Sequence, residues 1–128
     1  MSLTEVAAAT SLDRSLLLGD WRNTNSEGGI DRIVIEPADG ARIAVRCYSD
    51  SGSAVRDWGS VEAPIFALTI NGTDAGAFAA VYDFGFEEVR LQANVKSGVL
   101  VVATFNRFRD ASGRSNYFNR EFFYRIGT

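Results

Sequence analysis

Near its N-terminus the chain contains the sequence LLLGDWRNTN, residues 16–25. A short apolar run ends at Gly19, a tryptophan follows at Trp21, and the polar residues after it alternate as on a β-strand. Because successive side chains of a strand point to opposite faces, we expect Trp21, Asn23 and Asn25 to share one face. This pattern is typical of the first strand of a small closed β-barrel.

Strand-like stretches and turn signals alternate along the rest of the chain. Asp39-Gly40 and Ser97-Gly98 are typical of hairpin turns. The predicted strands are residues 19–25, 30–36, 42–49, 58–70, 78–84, 87–96, 99–107 and 116–125. We therefore predict an all-β fold, an eight-stranded antiparallel up-and-down β-barrel, whose closure removes the strand edges that an open sheet would expose.

The segment before the first strand is expected to close one end of this barrel. Thr10 or Ser11 is a candidate cap for a short N-terminal helical turn over residues 12–17. Residues 1–9 are small and are predicted to form a flexible tail, so that residues 10–128 form a single domain. A bend is expected in the fourth strand at Pro64, which cannot donate to a central ladder.

Composition excludes several classes of function. With 46% hydrophobic and 23% charged residues, the 128-residue chain has the composition of a soluble globular protein. Its net charge of −3 offers no basic excess to neutralise nucleic-acid phosphates, so no nucleic-acid partner is expected. No apolar run is long enough to span a membrane and no signal peptide is recognisable, which makes the cytoplasm the expected location.

The chain has no histidine, which excludes a Ser-His-Asp triad, a Cys-His pair and a histidine-ligated metal. Cys47 is the single cysteine, and we interpret it as a small buried apolar residue rather than a nucleophile. Neither a metal nor a cofactor is expected. Twelve of the 13 basic residues are arginine, which reflects either GC-rich coding or partly buried guanidinium groups facing carboxylates and aromatic rings.

The seventh predicted strand has different residues on its two faces. Paired through the Ser97-Gly98 turn, it presents an inward face with Thr104 and Asn106 and an apolar outward face that includes Val101 and Phe105. An apolar outer wall suggests a contact between subunits, so a homodimer is expected. The last strand carries aromatic residues on both faces and is predicted to contribute to the core and to that contact.

Gly19-x-Trp21 at the start of the first strand resembles the G-x-W signature of the calycin barrels, which are the lipocalins, fatty-acid-binding proteins and avidins. In lipocalins an arginine late in the barrel packs across this tryptophan, and the resemblance implies that role for Arg120 or Arg125. Residues 19–23 also resemble the opening of an avidin, where an asparagine two residues after the tryptophan contacts the ligand. This implies a ligand contact for Asn23. Avidins line the biotin site with several tryptophans, whereas this chain has two, so biotin is not the expected ligand.

The leading hypothesis is a barrel that holds a small, partly apolar molecule in its lumen, through apolar walls and a few polar groups. The candidate ligand-binding residues are Asn23, Arg46, Tyr48, Trp58, Asn106, Arg120 and Tyr124. Two alternatives are a cofactor-independent cyclase or isomerase that uses the same cavity, and a filled barrel whose surface binds glycans or protein.

Some of these candidates have a second, structural interpretation. Arg46 and Tyr48 point either into the lumen or onto the outer wall, and Trp58 either gates the cavity or caps the core. Three carboxylates lie within residues 82–88, and solvated turn charges explain them better than acid–base chemistry or cation binding.

Overall fold

The computed structural model describes residues 11–50 and 55–127. They form a closed antiparallel barrel in which each strand pairs with its neighbours in sequence and the last strand pairs with the first. The strands are β1 (Gly19–Asn23), β2 (Arg32–Pro37), β3 (Arg42–Asp50), β4 (Val55–Ala67), β5 (Ala75–Asp83), β6 (Glu87–Lys96), β7 (Val99–Phe108) and β8 (Tyr117–Gly127). The predicted eight-stranded all-β barrel is confirmed.

Several strands agree with the sequence pattern in detail. Strand β6 has the predicted bounds, and Lys96 pairs with Val99 across a two-residue turn in which Ser97 and Gly98 both have positive φ. Such mirror-image turns match the twist of the strands that they join. The inward and outward faces of β1, β3, β6 and β7 also alternate as predicted.

Strand β4 is shifted from its predicted position and is irregular elsewhere than expected. It continues past Pro64, which lies opposite Arg42 at the end of the ladder with β3. The register instead shifts near Trp58 and again at Phe66–Ala67, and β4 pairs with β5 over three residue pairs. The register shifts thus lie on either side of Pro64, and the bend expected there stays a prediction.

The predicted helical turn over residues 12–17 is absent, since residues 11–18 contain no helix. Asp13 instead forms a strand-like bridge with Asp74: its N–H donates to Thr73 and its carbonyl accepts from Ala75. Because Asp13 takes part in this bridge, the backbone makes only a single turn after it, in which the Arg14 carbonyl accepts hydrogen bonds from the N–H groups of Leu17 and Leu18. The predicted tail, the possible cap at position 10 and residues 51–53 of the predicted loop lie outside the described residues.

This non-helical segment nevertheless closes one end of the barrel, called here the closed end. Leu17 is fully buried, and its carbonyl accepts a hydrogen bond from Trp21 Nε1 at 2.9 Å. The Arg125 guanidinium lies 4.6 Å from the Trp21 ring centroid and donates to the Leu16 carbonyl. Arg125 thus occupies the position that the lipocalin resemblance implied.

Gly19 allows β1 and β8 to meet at this end. Its φ is +136°, and a Cβ atom there would lie 2.5 Å from the Gly127 carbonyl oxygen. A larger residue would therefore clash with the backbone of β8 where the barrel closes.

The closed end yields a stability prediction. Replacing Arg125 with alanine removes the cation–π contact with Trp21 and the hydrogen bond to Leu16, and is expected to cost about 1 kcal/mol of unfolding free energy in urea denaturation. Arg107→Ala is the matched control, since among the described residues Arg107 has no ion pair, side-chain hydrogen bond or aromatic contact. Equal effects of the two substitutions would contradict the role assigned to Arg125.

Candidate functional site

A cavity of about 380 Å³ occupies the other half of the lumen, at the open end of the barrel. Its apolar floor includes Val89, Val102 and Phe123, which belong to the buried core. Below this floor the lumen is filled by residues such as Leu91 and Leu100, both fully buried. The barrel is thus neither filled throughout nor open at both ends, and the filled-barrel alternative does not describe it.

A β-bulge in β4 directs Trp58 towards this cavity. Arg46 of β3 pairs with Ser60 and Tyr48 pairs with Asp57, so Trp58 and Gly59 together lie opposite the single residue Cys47. Gly59 has a φ of +86°, a conformation that glycine adopts without strain. Trp58 lines the cavity and donates from Nε1 to Ser49 Oγ at 3.0 Å.

Tyr82 supplies the hydrogen bonds that the bulge disrupts. Its hydroxyl accepts from the Cys47 N–H at 3.1 Å and lies 2.7 Å from the Gly59 carbonyl and 3.1 Å from that of Val45. Burial, and then the neighbouring Cys47, raise the pKa of this phenol well above its ordinary value. Since backbone groups surround the hydroxyl, Tyr82 supports the wall and is not free for chemistry.

Aromatic rings surround the mouth of the cavity. Trp58 packs edge-on against Tyr82 at 5.3 Å and against Phe84 at 5.4 Å, and Phe84 stacks on Phe86 at 6.5 Å. Tyr117, half exposed on the opposite side, stacks on Phe108. This rim offers apolar faces to a molecule that enters the lumen.

The wall formed by β7 and β8 carries polar groups. Asn106 is 6% exposed and donates from Nδ2 to Thr104 Oγ1 at 3.3 Å and to the Tyr117 carbonyl at 3.4 Å. Asn119 lies opposite Thr104 in the ladder and donates from Nδ2 to Glu121 Oε1 at 3.3 Å. Amide, hydroxyl and carboxylate groups therefore share one side of the cavity.

Glu87 lies at the mouth, on the inward face of β6. Burial raises the pKa of its carboxyl group, and Asp110 adds to that effect, whereas Arg114 opposes it. Burial followed by the charge of Glu87 raises the pKa of Tyr117. The two groups thus interact electrostatically at the rim.

The predicted candidates divide between the cavity and the outer wall. Trp58 and Asn106 line the cavity. Asn23 points inward as expected but lies outside the cavity lining, because its Nδ2 donates to the Ile30 carbonyl at 2.8 Å and its Oδ1 accepts from the Asn25 N–H at 2.8 Å. Asn25 itself lies beyond β1 and is exposed, so its predicted inward position is wrong.

The remaining four candidates do not face the lumen. Arg46 and Tyr48 lie on the outer face of β3, where Arg46 pairs with Asp57 and lies 5.8 Å from the Tyr48 ring centroid. Arg120 and Tyr124 are exposed on the outer face of β8, because the alternate residue Phe123 is fully buried. A luminal role for these four residues does not agree with their positions.

The sequence analysis missed Asn119 and Glu121, which line the cavity. Their inward orientation follows from the ladder with β7, where Thr104 faces Asn119 and Val102 faces Glu121. Directly opposed residues of antiparallel strands share a face. The predicted inward face of β7 would have identified both residues, had the register of β8 been known.

The carboxylates of residues 82–88 have different surroundings. Asp83 and Glu88 both pair with Arg109 outside the lumen, and this pairing contributes to lowering the pKa of each. The largest contribution to the lowered pKa is the hydrogen bond from the Gly85 N–H in the case of Asp83, and the hydrogen bond from Arg90 in the case of Glu88. Only Glu87 of this group lines the cavity. Within the described residues, no cluster of three or more potential metal ligands is found.

Cys47 is fully buried, as predicted. Burial raises the pKa of its thiol to about 12, while a hydrogen bond with Tyr82 acts in the opposite direction. The thiol is therefore protonated at neutral pH and is a poor nucleophile.

The outer wall of β7 and β8 is apolar and accessible. Phe105, Phe118 and Phe122 are each between 43% and 52% exposed, and Phe105 packs on Phe118 at 5.2 Å. The outward apolar face of β7 is confirmed. Its use as a contact between two copies of the chain stays a prediction.

Comparisons with known proteins give no relative: no protein-family model, no curated protein and no solved structure matches the chain. None of the described segments is a helix with the length and apolar character needed to cross a bilayer.

The role of Tyr82 can be tested by removing its hydroxyl. Tyr82→Phe leaves the buried Cys47 N–H and Gly59 carbonyl without this partner, and is expected to lower the unfolding free energy by about 1–3 kcal/mol. In the matched control Tyr124→Phe, the hydroxyl lost is on an exposed ring that has no side-chain hydrogen bond among the described residues. Urea denaturation that gave Tyr82→Phe the stability of the control would contradict this role.

Proposed function

We propose that the protein binds a small, partly apolar molecule in the cavity at the open end of its barrel. The observation that carries this proposal is the division of the lumen, which is closed at one end by Trp21 and Arg125 and empty at the other over about 380 Å³. An eight-stranded barrel is wide enough to hold one small ligand, and this volume lies within the usual range of ligand pockets.

The lining supports a partly apolar ligand rather than a fully polar one. Rings at the mouth and aliphatic side chains at the floor provide apolar contact, whereas Thr104, Asn106, Asn119 and Glu121 provide polar contacts on one side. Few polar groups on an apolar wall are typical of sites that fix the orientation of a small molecule.

Binding without chemistry is preferred over the cyclase or isomerase alternative. Tyr82 and Cys47 are the two strongly shifted titratable groups in the core, and neither is available for catalysis. The Tyr82 hydroxyl is surrounded by backbone groups, and the Cys47 thiol stays protonated. Glu87 and Tyr117 also have raised pKa values, but they lie at the rim, where Tyr117 is half exposed.

A probe that fluoresces in apolar surroundings tests the proposal. N-phenyl-1-naphthylamine is expected to bind the wild-type chain, and Thr104→Trp, which fills the cavity, should weaken its binding at least about tenfold. The matched control is Phe105→Trp on the outward face of the same strand, where the exposed ring lies outside the cavity. Its affinity should stay near that of the wild type.

Asn119→Trp provides a second variant at the edge of the cavity in case Thr104→Trp does not fold, and circular dichroism verifies the fold of each. If the folded inward variants bind the probe as tightly as the wild type, or if Phe105→Trp is the one that loses binding, the cavity is not the binding site.

A further inference from the structure

We infer that the cavity selects a ligand with a positively charged amine group attached to an apolar body. This inference rests on the proposed function and names the class of ligand. Two side chains on the β7–β8 wall of the cavity, Asn106 and Glu121, still have oxygens that can accept a hydrogen bond, and one of the two is a carboxylate.

Asn106 is the first of these acceptors. Its Nδ2 lies 3.4 Å from the Tyr117 carbonyl, which can only accept a hydrogen bond, so the orientation of the amide is determined. Its Oδ1 has no hydrogen-bond partner among the described residues, where no fully enclosed side-chain oxygen or nitrogen lacks one, so this oxygen is accessible from the cavity that the residue lines. An acceptor that faces a cavity in this way can take a hydrogen bond from a ligand or from water.

Glu121 is the second acceptor and carries the charge. Asn119 donates to one of its oxygens, but no arginine or lysine of the described chain forms an ion pair with it. The loop before β2 covers this carboxylate closely: a Cβ atom on Gly28 would lie 2.9 Å from Glu121 Oε1. A partly desolvated carboxylate without a countercharge gains free energy when a cation binds to it.

The other charges near the cavity are arranged differently. Glu87 has Arg114 nearby, whose charge opposes the rise in its pKa. Arg56 also lines the cavity, but it is exposed at the start of β4, which is four strands away from β8 around the barrel. The unbalanced charge inside the cavity is therefore negative.

The aromatic rim fits the same ligand. The exposed rings at the mouth, Phe84, Phe86 and Tyr117, have electron-rich faces that attract organic cations as well as apolar groups. A neutral alcohol would satisfy Asn106 equally well but would leave the Glu121 charge unbalanced, and an organic anion would be repelled by it.

Three probes that share one ring system test the inference. They are 1-naphthylmethylamine, 1-naphthalenemethanol and 1-naphthoate, which differ mainly in charge at neutral pH. We expect isothermal titration calorimetry to show the amine binding about tenfold more tightly than the alcohol, because a charge-assisted hydrogen bond is stronger than a neutral one. The carboxylate should bind more weakly than either.

Glu121→Gln keeps the shape of the side chain and its contact with Asn119 but removes the charge. It should abolish the preference for the amine, so that the amine and the alcohol bind this variant with affinities within about twofold of each other. Glu62→Gln is the matched control, because it makes the same change on an exposed carboxylate of β4 outside the cavity lining. It should bind all three probes as the wild type does.

The possible outcomes separate this inference from the proposed function. Equal binding of amine and alcohol, or an unchanged preference in Glu121→Gln, overturns the inference while cavity binding stands. Preferential binding of 1-naphthoate that is lost in Arg56→Gln also overturns it and assigns selectivity to the mouth. If none of the three probes binds and N-phenyl-1-naphthylamine does not bind either, both proposals fail.

Discussion

The contact between Trp21 and the segment before β1 determines what the barrel can hold. The indole N–H bonds to the Leu17 carbonyl, the ring is almost fully buried, and Arg125 covers it from the last strand. Arg14 adds a second attachment, since its guanidinium donates to carbonyls of Ala38 and Arg42 in the β2–β3 connection. Because one end is closed in this way, the space at the other end is a cavity with a single floor rather than a channel.

The wall at the open end of the barrel depends on a different interaction. The bulge at Trp58 and Gly59 interrupts the β3–β4 ladder. The Tyr82 hydroxyl, on β5, forms hydrogen bonds with the Cys47 N–H and the Gly59 carbonyl, which the interrupted ladder leaves unpaired. The hydrogen bond between Tyr82 and Gly59 also joins β5 to β4, and the ladder between these two strands has only three residue pairs. Wall closure and the placement of Trp58 at the mouth therefore have a common cause. Outside the wall, Arg32 and Arg46 pair with carboxylates, and Arg114 covers the ring of Phe108.

Much of the fold could be predicted from local sequence, because hydrophobic alternation and turn residues are local signals. Strand β6, the Ser97-Gly98 turn and the inward face of β7 are examples. Strand β8 was ambiguous, since aromatic residues occupy both of its faces and only the ladder with β7 decides which one is inward. Two polar residues of the candidate site, Asn119 and Glu121, were missed for this reason: they become luminal through pairing with β7, which the pattern of a single strand does not contain. Asn23 was predicted to contact a ligand because it is polar and faces inward. Its side-chain amide instead forms hydrogen bonds with the nearby backbone of Ile30 and Asn25.

The proposed ligand site is the open half of the lumen, above the closed base of the barrel. A crystal structure of the protein soaked with N-phenyl-1-naphthylamine would locate the bound molecule. We expect one molecule between the Trp58 ring and the Asn106–Glu121 wall, with Trp21 and Arg125 unchanged beneath it. Probe density confined to the outer wall around Phe105 and Phe122, with an empty lumen, would contradict this expectation.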